Sequence, residues 1–402
     1  MERVNRVAGA GAGLALLLAS VFGGCSAKVT AGGTPGTGGP ASTGSTSGGG
    51  GAPAGGAGSA TGGGSMVGNP APGTGGDPGP VIKPPVVVPA TAPANPGNVV
   101  VRRLNRAEYN NTVVDLLGTK LKPADTFPGD DLGAEFDTVG SALSLPPEYV
   151  VSYESAATTL INDLFADATR QKKIVTCDVA TAGDACAKTV LSAFARKAWR
   201  RPVTADEATA LMAPVTAAKT LGLTPTDGLK AAMTGVLISP FFLYKLEMDP
   251  DPLAGTARRL NSHELATRLS YSLWSTMPDD ALSVAADAGQ LVTDDQVMTQ
   301  INRMLADPRA DTLLDNFSAK WLDFGLDAHE ISTMYFPKYS EALGASMQAE
   351  ARRYMQEFLR TPLNVTAILN SRFTFADATL ATYYGLTRTG GANAAELVKV
   401  DT

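Results

Sequence analysis

Chemistry needs suitable side chains close together, and this 402-residue chain offers few such sets. Its two histidines, His263 and His329, lie far apart, which argues against a histidine-rich metal site. His263 falls in the first turn of a predicted helix beside Glu264, and an exposed helix residue is expected there rather than a catalytic base. His329 sits in the segment Asp327-Ala328-His329-Glu330, where a lone histidine is expected to be solvated. The acidic stretch Asp130, Asp131, Glu135 and Asp137, set around Gly129 and Gly133, is the best remaining candidate. Its carboxylates are hard oxygen ligands of the kind that Ca²⁺ takes. The favoured reading is plainer: a capped turn of solvated carboxylates pinned by Phe127 and Phe136. Trp199, Trp274 and Trp321 could stack on sugar rings, but each falls on a predicted helix face and is expected in the core. No G-x-S-x-G, H-E-x-x-H or phosphate-binding glycine loop is present. No catalytic, cofactor-binding or metal-ligating residue is therefore assigned, and the reading leans away from an enzyme.

The three cysteines speak of location more than reaction. Arg3 and Arg6 precede an apolar run, 8–22, too short for a spanning helix of ~20 apolar residues. A basic start, a short apolar core and small residues before a cleavage point read as a secretory signal over 1–24. The stretch Val21-Phe22-Gly23-Gly24-Cys25 resembles a bacterial lipobox, which implies cleavage before Cys25 and a diacylglycerol on its thiol. Residues 25–97 are mostly Gly, Pro, Ser, Thr and Ala. Such a segment cannot bury enough apolar surface to offset its ordering entropy, so a disordered tether is expected, spanning roughly 45–50 Å on average. Cys177 and Cys186 do not have C-x-x-C spacing. In an exported compartment a structural disulfide is favoured over a free or metal-bound pair, and it would add roughly 2–3 kcal/mol. The net charge of −6 argues against a nucleic-acid partner.

The elements that must position these residues read as helices. Two stretches nearly repeat: 102–109 and 258–265 share Arg-Arg-Leu-Asn with a glutamate three residues after the asparagine. Asn105 with Glu108, and Asn261 with Glu264, have the spacing of a capping box; Leu104 to Tyr109, and Leu260 to Leu265, have that of a hydrophobic staple. These are read as helix starts rather than reactive groups. Helices are predicted over 106–117 and 147–168, then up to Trp199 with a cationic end at Arg196, Lys197, Arg200 and Arg201. A further one runs 204–220, and Thr226 is taken to cap a buried helix, 229–246, kinked at Pro240. Others start at Asn261, Asp279, Thr293 and Asp307, the last running through Trp321, and a long helix covers 341–360, with short ones near Val365 and Ala376. Alternating strand patterns are nearly absent, so the predicted class is all-α.

On these residues the body resembles the planctomycete cytochrome-associated multi-domain exported proteins, whose modules are mostly domains of unknown function. Leu104-Asn105-Arg106-x-Glu108-Tyr109 through Asp115-Leu116-Leu117-Gly118 and Phe127-Pro128 resemble their opening module, expected over 98–170. Phe194-Ala195-Arg196 and Trp199-Arg200-Arg201-Pro202 resemble the second, expected over 171–222 with the cysteine pair. Leu237-Ile238-Ser239-Pro240, Met277-Pro278-Asp279-Asp280 and Tyr383-Tyr384-Gly385-Leu386 resemble the third, expected over 223–402 and incomplete relative to the family. Many relatives carry c-type haem, but the chain lacks C-x-x-C-H, so no haem cofactor is expected. The functional expectation is an exported lipoprotein of the outer membrane or cell surface, a binding or structural protein of the envelope that meets a partner through its helical body. The alternatives are a component of an extracellular redox system and a polysaccharide-binding or polysaccharide-processing accessory protein.

Overall fold

The computed structural model describes residues 101–133, 136–143, 146–248, 258–324, 331–361, 363–364 and 366–402. The signal segment, Cys25, the tether, Glu135 and His329 lie outside the described residues.

Both capping boxes form. Helix α1 (Arg106–Leu117) starts at Asn105, whose side chain accepts from Glu108 N while Glu108 accepts from Asn105 N. Gly118 ends it with φ +62°, a left-handed value that a Cβ disfavours. Further on, α2 (Pro147–Ala166) and the short α3 (Ala168–Ile174) follow. Asp178 caps α4 (Val179–Trp199), which bends at Gly183 and carries Cys186 in its first half. The Cys177–Cys186 disulfide forms, with Cα atoms 6.0 Å apart, and ties this helix to the turn before it. The predicted helix from 204 divides into α5 (Ala205–Ala210) and α6 (Ala213–Thr220).

The buried helix α7 (Pro225–Ile238) departs from expectation at both ends. Its cap is Thr224 rather than Thr226, because Thr224 lies three residues before Asp227 and just before Pro225 at the first helical position. It ends at Ile238 rather than kinking. Ser239, disfavoured from helical backbone by the proline that follows, is extended at ψ 142°. It instead caps the single turn α8 (Pro240–Leu243). The chain then extends, and β2 (Tyr244–Lys245) pairs antiparallel with β1 (Arg102–Arg103). Helix α7 packs against α2, α4 and α6. A Cβ at Gly228 would lie 3.0 Å from Val215 Cα, so that glycine permits the close approach of α6.

A second core gathers around α9 (Ser262–Trp274), α10 (Asp280–Asp287) and α11 (Asp294–Ala306). The helix predicted from Asp307 through Trp321 is a 3₁₀ turn (Pro308–Asp311), a π turn (Leu314–Ser318) and the short α12 (Ala319–Trp321). A third core joins α13 (Glu341–Arg360) and α15 (Ala378–Tyr384) to a ribbon of β3 (Phe373–Ala376) and β4 (Val398–Asp401); α14 (Ala367–Asn370) lies between α13 and β3 in sequence. Among the described residues the protein is all-α apart from these two ribbons and an isolated bridge at Gly133 and Phe136. No described helix is long and apolar enough to cross a membrane.

Candidate functional site

The pairing of β1 with β2 brings Lys245 beside Glu108. Lys245 Nζ lies 2.6 and 2.7 Å from the two oxygens of Glu108, and both side chains are buried. Glu108 therefore does two jobs: it closes the capping box and neutralises a buried ammonium. Behind the pair runs a hydrogen-bond chain whose direction follows from donor counting. Thr112 has one hydroxyl proton and donates it to Glu108 O at 2.6 Å. Tyr271 Oη, 2.8 Å from Thr112 Oγ1, must then be the donor to it. Arg200 donates to Tyr271 Oη at 3.2 Å, and its other nitrogen donates to the carbonyls of Phe241, Phe242 and Tyr244. Burial pushes the Tyr271 hydroxyl above the usual phenol range, which keeps the proton it donates. Arg200, read from sequence as a cation suiting a helix end, is the left-handed C-cap of α4 and stitches that helix to α8 and α9.

A cleft of about 230 Å³ lies over this network. Glu108, Lys245 and Tyr271 line it from below. Arg102 and Arg268 flank Glu247 at the rim, Arg268 through contacts of 2.9 and 2.5 Å and Arg102 at 3.6 Å. Asn316 and Phe317, on the π turn, form the far wall. Asn316 donates to Ser275 Oγ at 2.8 Å, and Ser275 has φ +52°, a strained value for a residue with a Cβ. π turns and strained backbone are features that recur at functional sites.

A neighbouring cleft of about 270 Å³ takes in Trp199, Arg201, Phe241, His263 and Glu264. Arg201 makes a two-pronged bond to Glu207 and lies 4.4 Å from the Phe241 ring centre. Arg258 holds Glu264 in the same two-pronged way at 2.7 and 2.8 Å. His263 is half-buried rather than exposed, and its Nε2 lies 3.5 Å from Asp287 Oδ1. Burial lowers its pKa against the pull of Asp287.

In the acidic stretch Asp131 is exposed as expected, while Asp130 and Asp137 are paired rather than solvated. The Asp130 side chain is 6 % exposed, lies 2.7 Å from Arg103 and accepts from Arg106 N at 2.8 Å. Asp137 pairs with Lys320 at 2.5 Å. Among the described residues, no group of three or more His, Cys, Asp and Glu stands where it could hold a metal ion. Trp199 and Trp274 are in cores, and their Nε1 atoms donate to Val236 O and Met304 O. Trp321, expected there too, is 52 % exposed and stacks on Phe317, because the expected continuous helix breaks into three unlike turns.

Three family models match the chain: PSD3, a protein of unknown function (DUF1587), over 102–166; PSD5 (DUF1595) over 186–247; and PSD4 (DUF1592) over 260–386. The chain carries these domains in tandem. They are the tandem domains of the planctomycete cytochrome-associated proteins. No curated protein and no solved structure matches the chain. The PSD5 match takes in 223–247, grouped from sequence with the third module. The buried chain thus joins all three domains: Glu108 and Thr112 from PSD3, Arg200 and Lys245 from PSD5, Tyr271 from PSD4. Sequence reading found Glu108 but not Lys245, Arg200 or Tyr271 as its partners. The available signal was a lysine closing an apolar run, which has no meaning until its carboxylate is known.

Proposed function

We propose that the chain is an exported lipoprotein, anchored through Cys25, whose tandem PSD3, PSD5 and PSD4 domains present a non-catalytic binding cleft at their junction. The state of the cleft's reactive groups carries the reading. Lys245 is paired with both oxygens of Glu108, Tyr271 is held protonated, and Glu247 is flanked by two guanidinium groups. Groups so paired are poor nucleophiles and poor bases, but they are pre-organised for recognition. The Cys177–Cys186 disulfide supports export, since such bonds persist in oxidising compartments. Fractionation of cells expressing the full chain tests the anchor. The parent is expected to sediment with membranes and to enter the detergent phase, and Cys25→Ala to be released as soluble protein. Equal sedimentation of the two would sink the anchor.

A further inference from the structure

Beyond the cleft's floor lies an exposed aromatic edge. Phe317 and Trp321 are 48 % and 52 % exposed, four residues apart, with ring centres 5.7 Å apart and planes 23° from parallel. Phe136 continues the row at 6.1 Å from Phe317. Lys320, between the two exposed rings in sequence, is tied to Asp137 beside Phe136, so two separate segments are held in this arrangement. Phe317 also lines the cleft, so rings and polar groups form one continuous surface.

The charges decide what that surface can take. Each charge of the lining is already engaged: Lys245 with Glu108, Arg102 and Arg268 with Glu247, and Glu264 with Arg258 from outside the cleft. An anionic ligand would have to compete with Glu108 or Glu247 for these cations, and a cationic one with the arginines and Lys245 for the carboxylates. Planar guanidinium, carboxylate and amide groups instead offer paired donors and acceptors, which suit vicinal hydroxyls. Exposed aromatic faces suit the apolar C–H faces of sugar rings, which alternate with those hydroxyls along a glycan chain. We propose that the cleft and its aromatic edge bind a neutral polysaccharide, a ligand class for the binding role proposed above, on which this inference rests.

The test is native affinity electrophoresis of the full chain in non-ionic detergent, through gels containing dextran, xylan or laminarin. Retardation by at least one of these is expected. It should weaken about tenfold in Phe317→Ala/Trp321→Ala and in Asn316→Ala, with circular dichroism melting within 2 °C of the parent. No retardation by any of the three overturns the proposal, as does retardation that the variants leave unchanged. Retardation only by polygalacturonate or only by casein, lost in the double variant, overturns the neutral-glycan class while leaving a binding cleft. The membrane anchor is judged separately by the Cys25→Ala fractionation.

Discussion

Segments 102–109 and 258–265 are close to one phrase written twice, and the fold uses them differently. In both, an asparagine caps a helix and a glutamate closes the box. In the first, Glu108 takes its counter-charge from Lys245, 137 residues away, and Arg103 is buried against Asp130 and the Tyr149 ring. In the second, Glu264 takes its counter-charge from Arg258, six residues away, while Arg259 is exposed and 3.6 Å from Asp294. The first copy locks domains together; the second mostly closes on itself. A local motif sets a helix start, and the partner of its charge sets whether that start also carries tertiary structure.

Removing the two glutamates should separate the copies most. Glu108→Ala leaves the buried Lys245 ammonium uncompensated, and a loss of about 3–5 kcal/mol is expected in urea unfolding. Glu264→Ala leaves Arg258, whose side chain reaches solvent, and should cost about 1–2 kcal/mol. Equal losses would end the distinction between lock and local cap.

Removing the caps should bring the copies together again. Asn105→Ala and Asn261→Ala are each expected to cost about 1 kcal/mol, since each deletes one bond to the third-position N–H and leaves the charges in place. A much larger loss at Asn105 would show that its cap and the Glu108–Lys245 pair act as one unit.

The smallest effect belongs to the second copy alone, where His263 stands in place of Ala107. Its pKa is held below the ordinary 6.5, so the unfolded chain takes up the proton first as pH falls. The stability contributed by neutral His263 is complete above pH 6.5 and is lost as pH falls through the folded-state value. His263→Gln should flatten that part of a plot of melting temperature against pH. An unchanged slope would remove His263 from the account.

Helix starts were the most legible part of the chain. Capping boxes at Asn105, Thr204, Asn261 and Thr293 act within four residues, so nothing distant can displace them. The helix expected from Thr226 to 246 instead runs from the Thr224 cap to Ile238, because Pro240 excludes Ser239 from helical backbone rather than kinking a continuous helix. The strands were missed for a different reason. A two-residue pairing such as Arg102–Arg103 with Tyr244–Lys245 leaves no periodic pattern to read. Trp321 falls on the core face of a regular helix, but the π turn before it shifts that face toward solvent.

The amino-acid order by itself determined the helical class, the caps and the cysteine pair, since each depends on contacts between residues near in sequence. Only tertiary structure decided that Glu108 belongs with Lys245, that Arg200 turns inward to three carbonyls and Tyr271, and that Phe317 meets Phe136 at the edge of a cleft. Each of these contacts spans more than 40 residues, and at such separations identical local spelling leaves a side chain's partner open.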